Sequence, residues 1–391
     1  MHKIDFDLNT VTTDNFNEVY FDIHEFMYKY ANLVTSRNGN TKELLNFKTQ
    51  IHNPISRCVG GFNRNMNVFF LLAESLWIWA GKKDVSFLDM FNSKLKQYSD
   101  DGVSYHAPYG FRLRKYGLHS YKEQEYEPID QIAKCLSMLS VNPDDRRVVA
   151  QIWNAEFDLG TDSKDLPCND MIMWKIRNGK LYTTIQNRSN DLNLGLTTNV
   201  FQFSIVSEIM ARILGVEVGY QVHNSQSLHI YMNEQTDNLQ QNIMFNKNTY
   251  KNIYDEASET PMIFNFYSNN VNERLHIVDF YVNNIINELI YQYNNKSIED
   301  SSKKQIFEDL RMFCPTLHFI YELLSLYIKY KNKLIDKMTC LLKLHELSID
   351  TIYSKSDLIA LANNFFASRL KQDELSVLSN KYITSKNFGT L

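Results

Sequence analysis

The stretch LPCNDMIMWKIRNGKLYTTIQNRSNDLNLGLTTNV, residues 166–200, decides the fold class. Met171 to Ile176 and Lys180 to Gln186 are apolar, β-branched and aromatic, the composition of strands. Between them stands Asn178-Gly179, the dipeptide that closes two-residue hairpins because both positions accept a positive φ. A loop containing Gly195 then enters Val200 to Leu214, which has helical apolar spacing. Just upstream, Ile132 to Leu139 reads as a helix, Asn142 to Asp145 as a turn and Arg147 to Trp153 as a buried strand. Strands and helices interleaved in this way predict a mixed α/β (α+β) domain.

Chemistry flanks the hairpin. Cys168 follows a proline in a short loop that leads into the first strand, and Arg188 stands directly after the second. A cysteine taken alone is more often a half-buried structural thiol. An arginine beside it changes the reading, because a nearby cation favours the thiolate. Arg146 and Arg147 follow a turn and precede an apolar strand, so their guanidinium groups are expected to be held in place, an arrangement that suits phosphate. Glu74 interrupts the apolar helix LLAESLWIW, where an unpaired carboxylate costs several kcal/mol, so a functional role is expected.

Farther along, the chain changes character. Twelve of the 13 glycines lie at or before Gly219, and Pro315 is the last proline. Leu317, Ile320, Leu324, Ile328, Ile335, Met338, Leu342 and Leu344 then recur at mostly helical spacing, and a further helix starts near Ser356 and runs through Leu370. We therefore expect residues 295–391 to form a helical C-terminal appendage on a catalytic domain of residues 1–294, although Ile285 to Tyr293 also looks helical.

Composition narrows the partners. Against 41 basic residues stand 45 acidic ones, a net charge of −4, which gives no reason to expect a nucleic-acid polymer. The five cysteines are scattered without metal-binding spacing, so no metal is expected and reduced thiols in a cytoplasm fit best. The opening MHKIDFDLNTVTTDNF is acidic where a signal peptide is apolar, and runs such as Val68 to Ala73 are too short to span a membrane.

Five blocks in order, RRVVAQIWN (146–154), PC (167–168), RSND (188–191), LGLTTN (194–199) and LHIY (228–231), resemble the thymidylate synthase superfamily. Weaker likenesses at Arg37, Glu74 and Tyr109-Gly110 extend the match over roughly residues 30–235. The resemblance implies a twisted mixed sheet with flanking helices, and a homodimer that shares its phosphate site. It implies that Cys168 attacks C6 of a pyrimidine nucleoside monophosphate, whose C5 then takes a one-carbon unit from 5,10-methylenetetrahydrofolate. Arg37, Arg188 and Ser189 would bind the phosphate, with Arg146 and Arg147 reaching across from the partner subunit. Asn199 would meet the base edge, with Asn169 beside it, and His229 and Tyr231 the sugar. Glu74 and Tyr109 would run the proton-moving water network, and Asp191 and Gly195 would lie against the folate.

Four departures bear on the outcome. Asn169 stands where the synthases carry histidine, and Leu88 and Phe91 stand where they place tryptophans against the folate. The usual closing tail is not recognisable in NFGTL (387–391), and RSND with SLHIY looks closer to phage deoxycytidylate hydroxymethylase. Weaker walls admit water to the one-carbon intermediate, so a 5-hydroxymethyl product is favoured over methyl. Asn199 favours uracil, although an amide can also pair with cytosine. A synthase proper, and a non-catalytic nucleotide-binding relative, remain as alternatives.

Overall fold

The computed structural model describes residues 3–5, 7–36, 39–60, 64, 66–117, 127–246, 257–296, 301–350, 353 and 355–370. Its strands are β1 (Lys3–Asp5), β2 (Thr10–Thr13), β3 (Asn32–Ser36), β4 (Gly39–Ile51), β5 (Val149–Gln151), β6 (Asn169–Arg177), β7 (Lys180–Asn187), β8 (Asn190–Asp191) and β9 (Glu217–Tyr231). Its helices are α1 (Phe16–Tyr30), α2 (Val68–Trp79), α3 (Val85–Phe91), α4 (Tyr109–Arg114), α5 (Gln131–Val141), α6 (Ala155–Asp158) and α7 (Thr197–Leu214). They continue with α8 (Glu234–Asn246), α9 (Val271–Asn295), α10 (Lys304–Phe313), α11 (Pro315–Lys331), α12 (Lys337–Asp350) and α13 (Asp357–Ala367).

The β6–β7 hairpin forms where the sequence places it. Asn178 and Gly179 take φ values of 51° and 70°, the paired left-handed turn whose twist matches that of the strands. β9 pairs parallel with β7 and antiparallel with β4, giving an open mixed sheet in the order β1-β2-β4-β9-β7-β6-β5. The strand expected over 147–153 is shorter, and the strand carrying His229 is longer, 15 residues across the middle of the sheet.

One face of the sheet is covered by helices. Ile172, Ile185 and His223 form a buried row across β6, β7 and β9. The next row, Val149, Met173, Thr184, Val222 and Gln50, faces the opposite way, with Val149 at the margin 38% exposed. Helix α2 buries ten of its 12 residues, so it lies inside the molecule rather than on it. Helix α7 packs across α2 and ends at Gly215, φ 74°, whose N–H closes the last turn.

Beyond residue 295, α11 and α13 pack against α2, and α10 and α12 pack on them. Pro315 starts α11 at the first helical position, where its missing N–H costs nothing. The apolar run after it breaks in two near Lys333, φ 60°. Helix α13 begins at its Ser356 cap, which accepts from the Leu358 N–H, and stops at Ala367 rather than running on through Leu370. Tyr327 of α11 stacks on Phe69 of α2 with ring centroids 4.7 Å apart, and Phe365 and Phe366 close over the same ring. Beside them, Asp357 accepts from Thr260 Oγ1 at 2.7 Å. Among the described residues, no helix is long and apolar enough to cross a membrane.

Candidate active site

The hairpin register sets the centre of the site. Arg177 pairs with Lys180 and Met171 with Gln186, but a β-bulge at Asp170 shifts the pairing so that Asn169 meets Asn187. One residue farther on, Cys168 therefore lies opposite Arg188, whose N–H donates to the Cys168 carbonyl at 3.0 Å. The displaced Asp170 carbonyl accepts from Ile152 and Trp153, anchoring the bulge to β5. The Arg188 guanidinium folds back onto the cysteine loop. Its Nε donates to the Pro167 carbonyl at 2.8 Å, and it lies 5.5 Å from the Trp153 ring centre. Burial pushes the Cys168 thiol up, and the Arg188 charge works against that rise.

Around the thiol, three elements converge. Tyr109, at the start of α4, takes a hydrogen bond from the Cys168 backbone, and burial holds its hydroxyl far above the ordinary range. Glu74 of α2 accepts from Gln202 of α7. Burial raises the Glu74 carboxyl to about 8, with the charge of Asp165 adding to the rise. At neutral pH Glu74 carries a proton. Asn169 opens β6 and Asn199 lies in the first turn of α7, and their buried amides exchange hydrogen bonds of 3.4 and 3.3 Å.

A second group gathers at the far end of β9. In the parallel β8–β9 pairing Asp191 lies opposite His229, and the Asp191 carboxylate accepts from the Asn193 N–H at 2.9 Å. Burial raises Asp191, opposed by that backbone bond and by His229 and Arg64. The His229 ring meets Tyr231 edge-on at 5.3 Å. Gly195 has no room for a side chain, since a Cβ there would sit 2.9 Å from Asn190 Oδ1.

Other expected residues stand apart. Arg147 is bound to Asp145 through Nε and Nη2, yet its side chain is 82% exposed, and Arg146 is exposed as well. The expectation that both are held in place fails for Arg146 and holds only loosely for Arg147, because the turn projects them from the protein. Ser189 is half-buried, and Arg37 lies outside the described residues. Leu88 and Phe91 are each 2% exposed, with Phe91 stacked on Tyr327 at 5.6 Å. They form core behind the site and present no open wall to a ligand.

Several site residues escaped sequence reasoning. Gln202 sits one helical turn past Asn199, a spacing that could have found it. Arg112 grips Asp158, with His106 Nε2 3.0 Å from the same carboxylate, and so fixes the loop before Tyr109. Asp165 stands three residues before Cys168 and bonds that loop. Tyr20 donates to Asn193 Oδ1 at 2.7 Å and, with Arg64, braces the turn after Asp191. The four remaining cysteines are buried, and no group of metal-binding side chains occurs among the described residues.

A half-buried cysteine set against an arginine, beside a protonated glutamate and a buried amide pair, agrees with the comparison against known families. The thymidylate synthase family model matches residues 29–291. The chain belongs to the thymidylate synthase family. Two relatives within it are deoxyuridylate hydroxymethyltransferases. That of Bacillus phage SP01 is 38% identical over 254 residues, 64% of either chain. That of Pseudomonas phage M6 is 39% identical over 199 residues, 50% of this chain and 54% of its own. Thymidylate synthase 1 of Bacillus subtilis is 34% identical over 172 residues, 43% of this chain and 58% of its own. The matches thus span somewhat less than two thirds of these relatives. Within the family frame, the phage deoxycytidylate likeness drawn from RSND and SLHIY gives way to relatives named for deoxyuridylate.

Proposed function

We propose that the protein transfers a one-carbon unit from methylenetetrahydrofolate to C5 of a pyrimidine nucleoside monophosphate, of uridylate type, and releases the 5-hydroxymethyl nucleotide. The observation that carries this reading is the bulge that sets Cys168 against Arg188, because a binding protein has no use for a nucleophile with its own activating cation. Cys168 adds to C6, and Arg188 stabilises the thiolate it needs and binds phosphate with Ser189 and Arg37. Glu74, holding a proton, and Tyr109 supply and relay protons at the ring. Asn199 faces the base edge, and His229 and Tyr231 the sugar. The Asp191 carboxylate, anchored by backbone N–H groups, offers the acceptor that a pterin N–H requires, and Gly195, packed against Asn190, lets the turn beside it fold tightly.

Two copies complete the site in this proposal. Arg146 and Arg147, projecting from the turn before β5, reach a partner's phosphate, and the less covered face of the sheet is where the copies meet. Residues 295–391 serve as an appendage, of which α11 and α13 pack on α2, and the protein works in the cytoplasm without metal, membrane or nucleic acid.

The hydroxymethyl branch is favoured by the two relatives of that name. The alternative is a synthase that reduces the one-carbon unit to methyl and makes dihydrofolate. Incubation with methylenetetrahydrofolate and each pyrimidine monophosphate, followed by mass analysis and dihydrofolate absorbance, separates the two. Methyl nucleotide with matching dihydrofolate would refute the proposal.

A further inference from the structure

Asp165 lies in a second carboxylate position that the family resemblance does not supply. Segment 163–168 runs beside the loop that enters α4, and two bonds stitch them together. Asp165 Oδ2 accepts from the Ala107 N–H at 2.8 Å, and Cys168 bonds Tyr109. The backbone around Asp165 is fixed as well. Its N–H donates to Ser163 Oγ at 3.1 Å, and that hydroxyl donates to Asp100 Oδ2 at 2.6 Å. The second oxygen, Oδ1, has no hydrogen-bond partner among the described residues. Asp165 thus keeps one acceptor oxygen without a described partner, three residues before the nucleophile.

The groups facing it divide the labour. Glu74 comes from α2, Tyr105 and His106 from the loop, Tyr109 and Arg112 from α4, Asp100 from the preceding turn, and Cys168 from its own segment. Glu74 feels Asp165 as a negative charge, which adds to the rise that burial gives Glu74. Burial raises Asp165, but the Ala107 N–H, His106 and Arg112 oppose the rise. Two carboxyl groups in different surroundings can serve as an acid and a base.

Resting on the hydroxymethyl reading above, we propose that Asp165 is the general base for the water that captures the one-carbon intermediate. The nucleotide, joined through C6 to Cys168, bears an exocyclic methylene at C5. Asp165 takes one proton from water as the water oxygen bonds to the methylene carbon. The double-bond electrons move into the ring as the C4 enolate. Collapse of the enolate restores C5=C6 and expels the Cys168 thiolate, which regains the proton from Asp165. Water is added, the thiol is regenerated and nothing is oxidised or reduced.

Asp165→Asn tests this, since the amide oxygen still accepts from Ala107. The assay uses nucleotide tritiated at C5, methylenetetrahydrofolate and added 2-mercaptoethanol, which competes with water for the methylene and leaves a 5-thioether. In a single turnover the variant should release tritium within about threefold of the parent's rate. Hydroxymethyl nucleotide should fall about a hundredfold, the loss typical of a missing general base, with thioether taking its place. Equal loss of tritium release and product, or an unchanged ratio of hydroxymethyl to thioether, overturns the assignment. If Asp165→Asn does not bind nucleotide, Asp165→Ala with added formate replaces it: formate must restore hydroxymethyl over thioether, and failure to do so also overturns it. A parent enzyme that makes methyl nucleotide and dihydrofolate refutes the function itself, before any variant is compared.

Discussion

Asn169 and Asn199 form a closed amide pair in which each side chain donates to the other's oxygen, at 3.4 and 3.3 Å. Each amide keeps one N–H and one lone pair for a further partner. Neither can turn over alone without setting oxygen against oxygen, so in the proposed reading the pair together meets the base edge. Under the proposed function, Asn199→Asp removes the donor for uracil O4 and leaves an acceptor for a cytosine amino group. An unmatched buried polar group costs about 1–3 kcal/mol. The ratio of kcat/KM for uridylate over cytidylate should therefore fall about 10- to 100-fold, measured with both nucleotides in competition.

Arg188 touches both the cysteine loop and, in our reading, the phosphate. Arg188→Ala should raise the Cys168 pKa, because burial and the charges of Asp165, Asp170 and Asp191 then act on the thiol unopposed. The pH midpoint of alkylation by iodoacetamide should move upward, and turnover and nucleotide affinity should fall together. Cys168→Ala should bind nucleotide and form no product.

Glu74 makes stability depend on pH. Its carboxyl titrates at about 8 in the folded chain against 4.5 when unperturbed. The folded state thus holds the proton that the unfolded state has lost. The group's contribution is fully present below the unfolded value, declines as pH rises between the two, and is lost above the folded value. Glu74→Gln should remove this decline and be the more stable protein above about pH 8, by up to about 1.4 kcal/mol per unit of pKa separation, while losing activity. Urea melts of both proteins at acidic and alkaline pH give the comparison.

Tyr327 joins α11 to α2 and α3. It is 4% exposed, stacks on Phe69 and Phe91, and donates to the Phe91 carbonyl at 3.2 Å. Tyr327→Ala should cost about 3–5 kcal/mol, as aromatic truncations in cores do. Denaturant melts followed by fluorescence measure the loss.

The hairpin and the Cys168–Arg188 relation were legible because Asn178-Gly179 marks its own turn and the motif residues flank the strands. The bulge was not, since a one-residue slip in pairing leaves no mark in composition. Leu88 and Phe91 are buried, and the cover over Phe91, Tyr327, comes from a distant part of the chain. Leu88→Trp is therefore an overpacked core, costing about 1–3 kcal/mol, rather than a switch of product. Asp165 was hidden in SKDLPC, where a charged residue next to lysine reads as solvated loop. The helix cap at Ser356 was legible, being local. Its bond to Thr260, like every long-range contact, was not.

The dependence of Phe69 on Tyr327, Phe365 and Phe366 has a consequence for how the chain is made. A growing polypeptide emerges from the ribosome in order, so α2 appears long before the rings that seal it. Contacts between such distant parts of a chain form slowly, because the intervening loop must close first. Until then an apolar helix stands open in the nascent protein, the condition under which chains stick to one another. Chaperone demand during synthesis should therefore be set by the translation time between α2 and α13, and slowing elongation over that interval should lower the yield of native protein.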